Sequence, residues 1–425
     1  MVTTLLREMD AAGHEPSALF NFQTRLFHAS YRAQQAAGDI TRALKRLGQG
    51  KSPGWPVSRD ADTHNFAAPP WVLACRPNDP DRGAWERERI VADRVVRQLR
   101  CVGDGLAWRV CRYRREYMIA LSRHDPAGPF VGKDGLGYEI GRVIDYYQKN
   151  GKFALLNDLT SVLRHCDVTE VRNSRYQELC EVKARPTRTA RAKAAKQRRE
   201  AQHALLVADG IEPIPGIDGG ALIVRSHVQL RTHVRELTAV FDRAERDGHA
   251  VARVGDRVVR VFHGGVTDPI AALQQSEERH QAALARYLPQ PMQPLRVLMN
   301  DAAASDPLLA PYSIYPLPAG QRAALICDHL LVEVTLSAQA LQHSFRQTGL
   351  AAQILLTAAD PDSEAVMKVI GTKRTATLYS PAVRQLLLEF IHTRCFVRAF
   401  AAELARPGRS RHNLLTFSNE QAAWR

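Results

Sequence analysis

The middle of the chain alternates helix and strand patterns in a fixed order, which restricts the possible folds more than any other feature. The helix at 138–149 ends at Asn150-Gly151, a pair typical of a left-handed helix terminus. The other elements are strand-like runs at 153–156, 166–171 and 178–182, a basic helix at 188–206 and an apolar strand at 221–224. The order α-β-β-β-α-β predicts an α/β fold.

The length of 425 residues predicts about two to four domains, at roughly 100–200 residues per domain. Helical spacing of apolar residues predicts a mainly helical N-terminal region over 1–130. The alternating segment occupies 131–226. A helical and hairpin connector is expected over 227–290, with its turn at Gly255-Asp256, and a separate C-terminal α/β domain over 291–425.

The charge balance favours a polyanionic partner, because 58 Lys and Arg stand against 44 Asp and Glu, for a net charge of +14. Nowhere do about 18 apolar residues run together, as a membrane-spanning helix requires. The seven cysteines are scattered, with no C-x-x-C pair. We therefore expect a cytoplasmic chain with reduced thiols and no membrane partner. Neither a Walker loop nor a G-x-G-x-x-G dinucleotide motif is present.

A Glu-x-Lys triplet, Glu181-Val182-Lys183, ends the third predicted strand, and Asp167 lies on the second. Because side chains alternate along a strand, Glu181 and Lys183 share one face. Paired acidic and basic groups at the end of an apolar strand indicate either a catalytic site or an ordinary surface salt bridge.

These residues resemble the PD-(D/E)XK phosphodiesterase superfamily over about residues 133–226. The resemblance implies an αβββαβ core, in which a central mixed sheet is flanked by helices. The motifs that carry it are Glu139 in Gly137-Tyr138-Glu139-Ile140, Asp167 in Cys166-Asp167-Val168, Glu181 with Lys183, and Gln197 in Lys196-Gln197-Arg198-Arg199. Two departures are Cys166, where many members have Gly, and the lack of Pro before Asp167. Asp158 is a rival for the aspartate role.

The resemblance implies a Mg²⁺ or Mn²⁺ site with Glu139, Asp167 and Glu181 as ligands. It assigns catalytic roles to Asp167, Glu181, Lys183 and Gln197. The chemistry of the residues agrees, because a hard divalent ion held by carboxylates activates water and offsets charge on a scissile phosphate. Lys183 would hold or deprotonate the attacking water and stabilise charge in the transition state.

Eight basic residues lie between 183 and 199, and no acid occurs there before Glu200. A basic helix of this kind neutralises backbone phosphates without reading sequence. We expect nucleic-acid contacts, to DNA first and to RNA as the alternative, from Arg188, Arg191, Lys193, Lys196, Arg198 and Arg199.

The sequence thus predicts a metal-dependent nuclease, with bacterial defence or repair as its expected setting. The alternative is a nucleic-acid-binding or scaffolding protein whose nuclease-like domain is inactive. Association with a protein partner or with further copies of the chain stays open.

Overall fold

In a computed structural model, the chain is a mixed α/β protein with several small β-sheets. The structure describes residues 1–51, 82–122, 128–172, 175–180, 182, 188–212, 221–226, 228–229, 231–264, 269–288, 293–302, 309–355, 365–371, 374–405 and 412–417.

The described residues form thirteen α-helices, six in the first half of the chain and seven in the second. They are α1 (Val2–Ala12), α2 (Pro16–Leu47), α3 (Arg82–Val110), α4 (Arg115–Leu121), α5 (Leu136–Asn150), α6 (Arg188–Ala208), α7 (Leu237–Asp247), α8 (Pro269–Tyr287), α9 (Met299–Ala302), α10 (Ala319–Ile326), α11 (Ala338–Gln347), α12 (Ser380–Leu388) and α13 (Thr393–Ala405). Among these, none is both long and apolar enough to cross a membrane.

The strands are short and belong to four sheets. They are β1 (Ala154–Leu156), β2 (Val168–Arg172), β3 (Arg175–Cys180), β4 (Ala221–Ser226), β5 (His249–Val254), β6 (Arg257–His263), β7 (Pro294–Leu298), β8 (Leu330–Ser337), β9 (Ala351–Ile354), β10 (Ala365–Ile370), β11 (Thr375–Tyr379) and β12 (His412–Phe417). Three sheets are antiparallel, with strand orders β1-β2-β3, β11-β10-β9 and β5-β6-β8-β7. The fourth is the parallel pair β4-β12.

The predicted order of elements is present between α5 and β4. Gly151 ends α5 in the left-handed conformation (φ 59°) and donates its N–H to the Tyr147 carbonyl, as the Asn-Gly pair predicts. The hairpin of β5 and β6 also turns at Gly255-Asp256, as expected. The central sheet differs from the expectation of a mixed sheet. Strands β1 to β3 are all antiparallel, and β4 pairs with β12 instead of with them, because an apolar strand pattern shows that a strand is buried but does not specify its partner.

Buried contacts continue across the predicted domain boundaries. One hydrophobic cluster includes Leu26, Leu155, Phe241 and Leu336, one from each of the four predicted regions, and all four are fully buried. The boundaries themselves stay predictions. For the site, the consequence is that α2 and α3 pack against the turn that follows β1, and Gln23 of α2 hydrogen-bonds to the backbone of β1.

Candidate functional site

Three carboxylates from separate segments surround one ammonium group, and we call this group the Lys133 cluster. The Nζ atom of Lys133 lies 2.9 Å from Oε1 of Glu139, 2.9 Å from Oδ2 of Asp158 and 2.8 Å from Oδ1 of Asp167. An ammonium has three N–H donors, so each carboxylate takes one. The cluster therefore combines the predicted Glu139 and Asp167 with Asp158, the rival aspartate, and with a lysine that the sequence analysis did not select.

Glu139 supplies the most buried carboxylate of the Lys133 cluster. It lies in the first turn of α5 and is 1% exposed. Burial, together with the nearby charge of Asp167, raises the pKa of Glu139 to about 7, although the Lys133 ammonium opposes the shift. Its Oε1 atom contacts Lys133, whereas Oε2 is buried and receives no hydrogen bond from any described residue. Half of this carboxylate is thus available to another donor or to a cation.

Asn157 fixes the relative positions of the two aspartates. It is 2% exposed and begins a short 3₁₀ turn that carries Asp158. Its side-chain amide donates to the carbonyls of His165 (2.9 Å) and Cys166 (3.2 Å), and its Oδ1 accepts from the Thr169 hydroxyl at 2.7 Å. Its backbone N–H donates to the Asp167 carbonyl at 3.0 Å. The segment before β2 is therefore held against the turn after β1.

Helix α3 supports the same turn from behind. At Gly103 the helix approaches so closely that a Cβ atom would lie 2.0 Å from the Leu159 carbonyl oxygen. The next residue of α3, the buried Asp104, accepts hydrogen bonds from the backbone N–H groups of Ser161 (2.7 Å) and Val162 (3.1 Å) and from the Ser161 hydroxyl. Desolvation raises the pKa of Asp104 to about 6 despite these hydrogen bonds.

Val182, the middle residue of the Glu-x-Lys triplet, lies beside Asp167. Val182, which stands between Glu181 and Lys183, donates its backbone N–H to Oδ2 of Asp167 at 2.9 Å, and the Asp167 N–H donates to the Cys180 carbonyl at 3.1 Å. Glu181 and Lys183 themselves lie outside the described residues. Asp167 precedes β2 instead of lying within it, and it follows Cys166, whose φ of 63° is left-handed. That conformation suits the glycine expected there.

Lys133 was missed because it lies in a loop with no periodic pattern. Its carbonyl and amide belong to turns with Leu136 and Phe130. Burial lowers the pKa of Lys133, but hydrogen bonds to Asp167 and Asp158 outweigh it, so that the pKa lies above its usual value. The only signal was the sequence Gly132-Lys133-Asp134-Gly135, a glycine-flanked turn with one lysine in a chain that favours arginine.

Within the described ranges, no group of three or more His, Cys, Asp and Glu side chains is spaced to hold a metal ion. The carboxylates of the Lys133 cluster are spaced around an ammonium, which needs longer contacts than the roughly 2.0–2.1 Å of Mg²⁺ to oxygen. Glu181, the third ligand that the resemblance implies, is among the residues not described. The donor set nevertheless suits a hard cation, since it consists of carboxylate oxygens with one buried oxygen atom unpartnered.

In helix α6, the buried residues that the structure describes lie in the C-terminal half, after the predicted basic segment. Ala201, Ala204 and Val207 are buried, whereas Lys196 and Arg199 are exposed. Lys196 pairs loosely with Glu200 at 3.9 Å. The side chains of Arg188, Arg191, Lys193 and Arg198 lie outside the described part of the structure. Gln197 is half-buried, and no hydrogen bond of the described residues joins it to the Lys133 cluster.

Comparison of the sequence with models of known families, with curated proteins and with solved structures found no match. The chemistry of the site is therefore inferred from its own residues and contacts.

Proposed function

We propose that the chain is a metal-dependent nuclease of the PD-(D/E)XK type that hydrolyses phosphodiester bonds, with DNA as the expected substrate and RNA as the alternative. The observation that carries the proposal is the convergence of Glu139, Asp158 and Asp167 on one cation position. The hydrogen bond from Val182 to Asp167 supports it further, because it brings the backbone between Glu181 and Lys183 to the same carboxylate.

A divalent ion, Mg²⁺ or Mn²⁺, would be held by Glu139, Asp167 and Glu181, with Asp158 as a further oxygen donor. The unpartnered Oε2 atom of Glu139 and the all-oxygen donor set fit such an ion. When bound, the ion would offset charge on the scissile phosphate and lower the pKa of a bound water.

The remaining groups of the proposed site belong to the chain. Lys183 is proposed to hold the attacking water and stabilise developing negative charge, and Gln197 keeps the catalytic role that the resemblance assigns to it. The basic segment of α6, in which Lys196 and Arg199 are exposed, would bind backbone phosphates. Tyr138, next to Glu139 and 61% exposed, offers an aromatic face on which an unpaired base can stack.

One observation favours a second candidate, a nucleic-acid-binding or scaffolding protein with an inactive nuclease-like domain. The Lys133 ammonium already provides the cluster with a cation, through three contacts of 2.8–2.9 Å. A cluster that keeps this ammonium permanently would be a structural ion-pair network. The two candidates therefore differ in whether the carboxylates accept a metal ion and in whether bound nucleic acid is cut.

The test is incubation of the purified chain with plasmid, linear duplex, single-stranded DNA and RNA, in Mg²⁺, Mn²⁺ or EDTA. Cleavage should require the metal. Asp167→Asn should abolish cleavage while leaving DNA binding intact, and the matched control Asp145→Asn, an exposed aspartate of α5, should cleave normally. Binding without cleavage in every metal would support the scaffolding candidate.

Lys183→Ala tests the role proposed for the lysine of the Glu-x-Lys triplet. Because it removes no proposed ligand, metal binding should persist while the cleavage rate falls by roughly 10²-fold or more, as for other general acid-base or electrostatic groups. Isothermal titration calorimetry measures the first quantity and a plasmid-nicking time course the second. Loss of metal binding in this variant would contradict the role given to Lys183.

A further inference from the structure

The Lys133 side chain completes its hydrogen bonding entirely within the acidic cluster. Its three contacts go to a helix, to the turn after β1 and to the residue before β2. Among the described residues, the ammonium is the single group that touches all three carboxylates. It therefore contacts Glu139 and Asp167, two ligands of the proposed metal site, together with Asp158, the further oxygen donor.

The charge of the cluster is not balanced by Lys133 alone. When ionised, the three carboxylates together carry three negative charges against the one positive charge of Lys133, and one oxygen atom of Glu139 remains buried without a hydrogen-bond partner in the described residues. Buried charge that lacks compensation is costly. A divalent cation would provide one more positive charge than the lysine, so it would satisfy these oxygens better.

The Lys133 side chain can move out of the cluster into solvent, whereas the buried carboxylate of Glu139 cannot. The Lys133 side chain is 31% exposed and lies in a loop next to Gly132, whose φ is 80°, and near Gly135, whose φ is 97°. Glu139, by contrast, is 1% exposed on the first turn of α5. A long, flexible lysine can swing towards solvent without disturbing the strands, since only its four-carbon stem has to rotate.

We propose that Lys133 is a tethered cation that holds the metal position of the Lys133 cluster and is displaced when a divalent ion binds. The inference rests on the proposed function, because it concerns the same carboxylates, and it adds an exchange step that sets the affinity for the metal. Two cations cannot share one position, so the ammonium and the ion exclude each other. Lys133 thereby keeps the three carboxylates together while no ion is present.

Removing the competitor should strengthen metal binding. Lys133→Met keeps the length and the apolar stem of the side chain and deletes its charge. Titration calorimetry with MnCl₂ should show an affinity about tenfold or more higher than that of the wild type, within the usual range of coupling between two ligands. The matched control is Lys149→Met, since Lys149 pairs with Asp145 on the exposed side of α5, the helix that carries Glu139. Its affinity for Mn²⁺ should equal that of the wild type.

A second measurement uses the wild-type chain and does not depend on the folding of a variant. Acylation of lysine amines, followed by mass spectrometry, reports how accessible each ammonium is. Mn²⁺ should raise the acylation rate of Lys133 several-fold relative to EDTA, because the displaced side chain reaches solvent. The rate at Lys149 should not change.

The outcomes separate this inference from the proposed function. Tighter Mn²⁺ binding by Lys133→Met together with faster acylation of Lys133 supports displacement. Equal affinity in variant and wild type, an unchanged acylation rate, or no Mn²⁺ binding to either chain overturns it. Plasmid cleavage, measured in parallel, tests the proposed function alone: a chain that exchanges Lys133 for Mn²⁺ but cuts no nucleic acid retains the exchange step and loses the nuclease assignment.

Discussion

Asp104 gives the folded chain a dependence on pH that Asp104→Asn should remove. The carboxylate is fully buried in α3 and accepts three hydrogen bonds from Ser161 and Val162. Asparagine has the same shape, and its amide oxygen can accept the same two backbone N–H groups. It cannot ionise, however, so it does not incur the cost of burying a charge.

The magnitude follows from the pKa of Asp104, which desolvation raises from 3.8 to about 6. Between these two values the folded chain retains a proton that the unfolded chain has lost, so stability falls as the pH rises. Below the interval Asp104 is protonated in both the folded and the unfolded chain. Above it Asp104 is ionised in both, and the folded chain bears the full cost of burying the charge. Roughly two pKa units, at about 1.4 kcal/mol each, amount to about 3 kcal/mol.

Urea unfolding followed by circular dichroism, at several pH values across this interval, measures the effect. The free energy of unfolding of the wild type, relative to that of Asp104→Asn, should fall by about 3 kcal/mol from a pH well below 3.8 to a pH well above about 6. The variant Asp145→Asn is the control: hydrogen bonding to Lys149 lowers the pKa of Asp145, so this group titrates below the interval. Parallel curves for the wild type and Asp104→Asn would show that the hydrogen bonds fully offset desolvation and would refute the argument.

Three further predictions concern the site and two other parts of the molecule. Asn157→Leu should lower the free energy of unfolding by about 3 kcal/mol, because buried carbonyls lose their donors, and should weaken Mn²⁺ binding in calorimetry. The exposed Asn150→Leu removes one hydrogen bond, to the Tyr146 carbonyl, so it should cost about 1 kcal/mol and leave Mn²⁺ binding unchanged. Away from the site, Arg115 of α4 and Glu389 form a buried ion pair with two contacts of 2.8 Å. Glu389→Gln should lower the free energy of unfolding in urea by about 3–5 kcal/mol, since Arg115 would keep a buried charge without its carboxylate; a loss smaller than about 1 kcal/mol would contradict this. Replacing Arg191, Arg198 and Arg199 by Gln should reduce the slope of log K against log salt for DNA by about 2–3 units, whereas an unchanged slope would assign α6 to another partner.

Local patterns predicted the elements that build the site. The apolar spacing of α5, its Asn-Gly end and the β5-β6 hairpin depend on residues within a few positions of each other, and all are present. Glu139 and Asp167, which the motifs select, both contact the Lys133 ammonium. Their roles as metal ligands stay predictions, as do those of Glu181 and Lys183.

The contacts that define the cluster could not be read from periodicity. Lys133 lies in a turn, where a lysine ordinarily faces solvent. Its place in the cluster depends on contacts with three separate segments of the chain, which no local pattern shows. Asp158 was considered only as a substitute for Asp167, whereas both aspartates contact the same Nζ atom. Pairing of β4 with β12 was missed for a related reason: an apolar strand shows which face is buried but does not specify its partner.

The parallel pairing of β4 with β12 affects the order in which the chain can fold during synthesis. At roughly 5–20 residues per second, a ribosome needs on the order of 10–40 s to make the approximately 190 residues between the two strands. Throughout that time β4 has no β12 with which to pair, while α5 and the β1-β2-β3 sheet depend only on chain already made. An apolar strand without its partner is a template for wrong pairing. We therefore expect the yield of folded protein to depend on translation speed and on chaperones that cover Ala221–Ser226 until His412–Phe417 emerges.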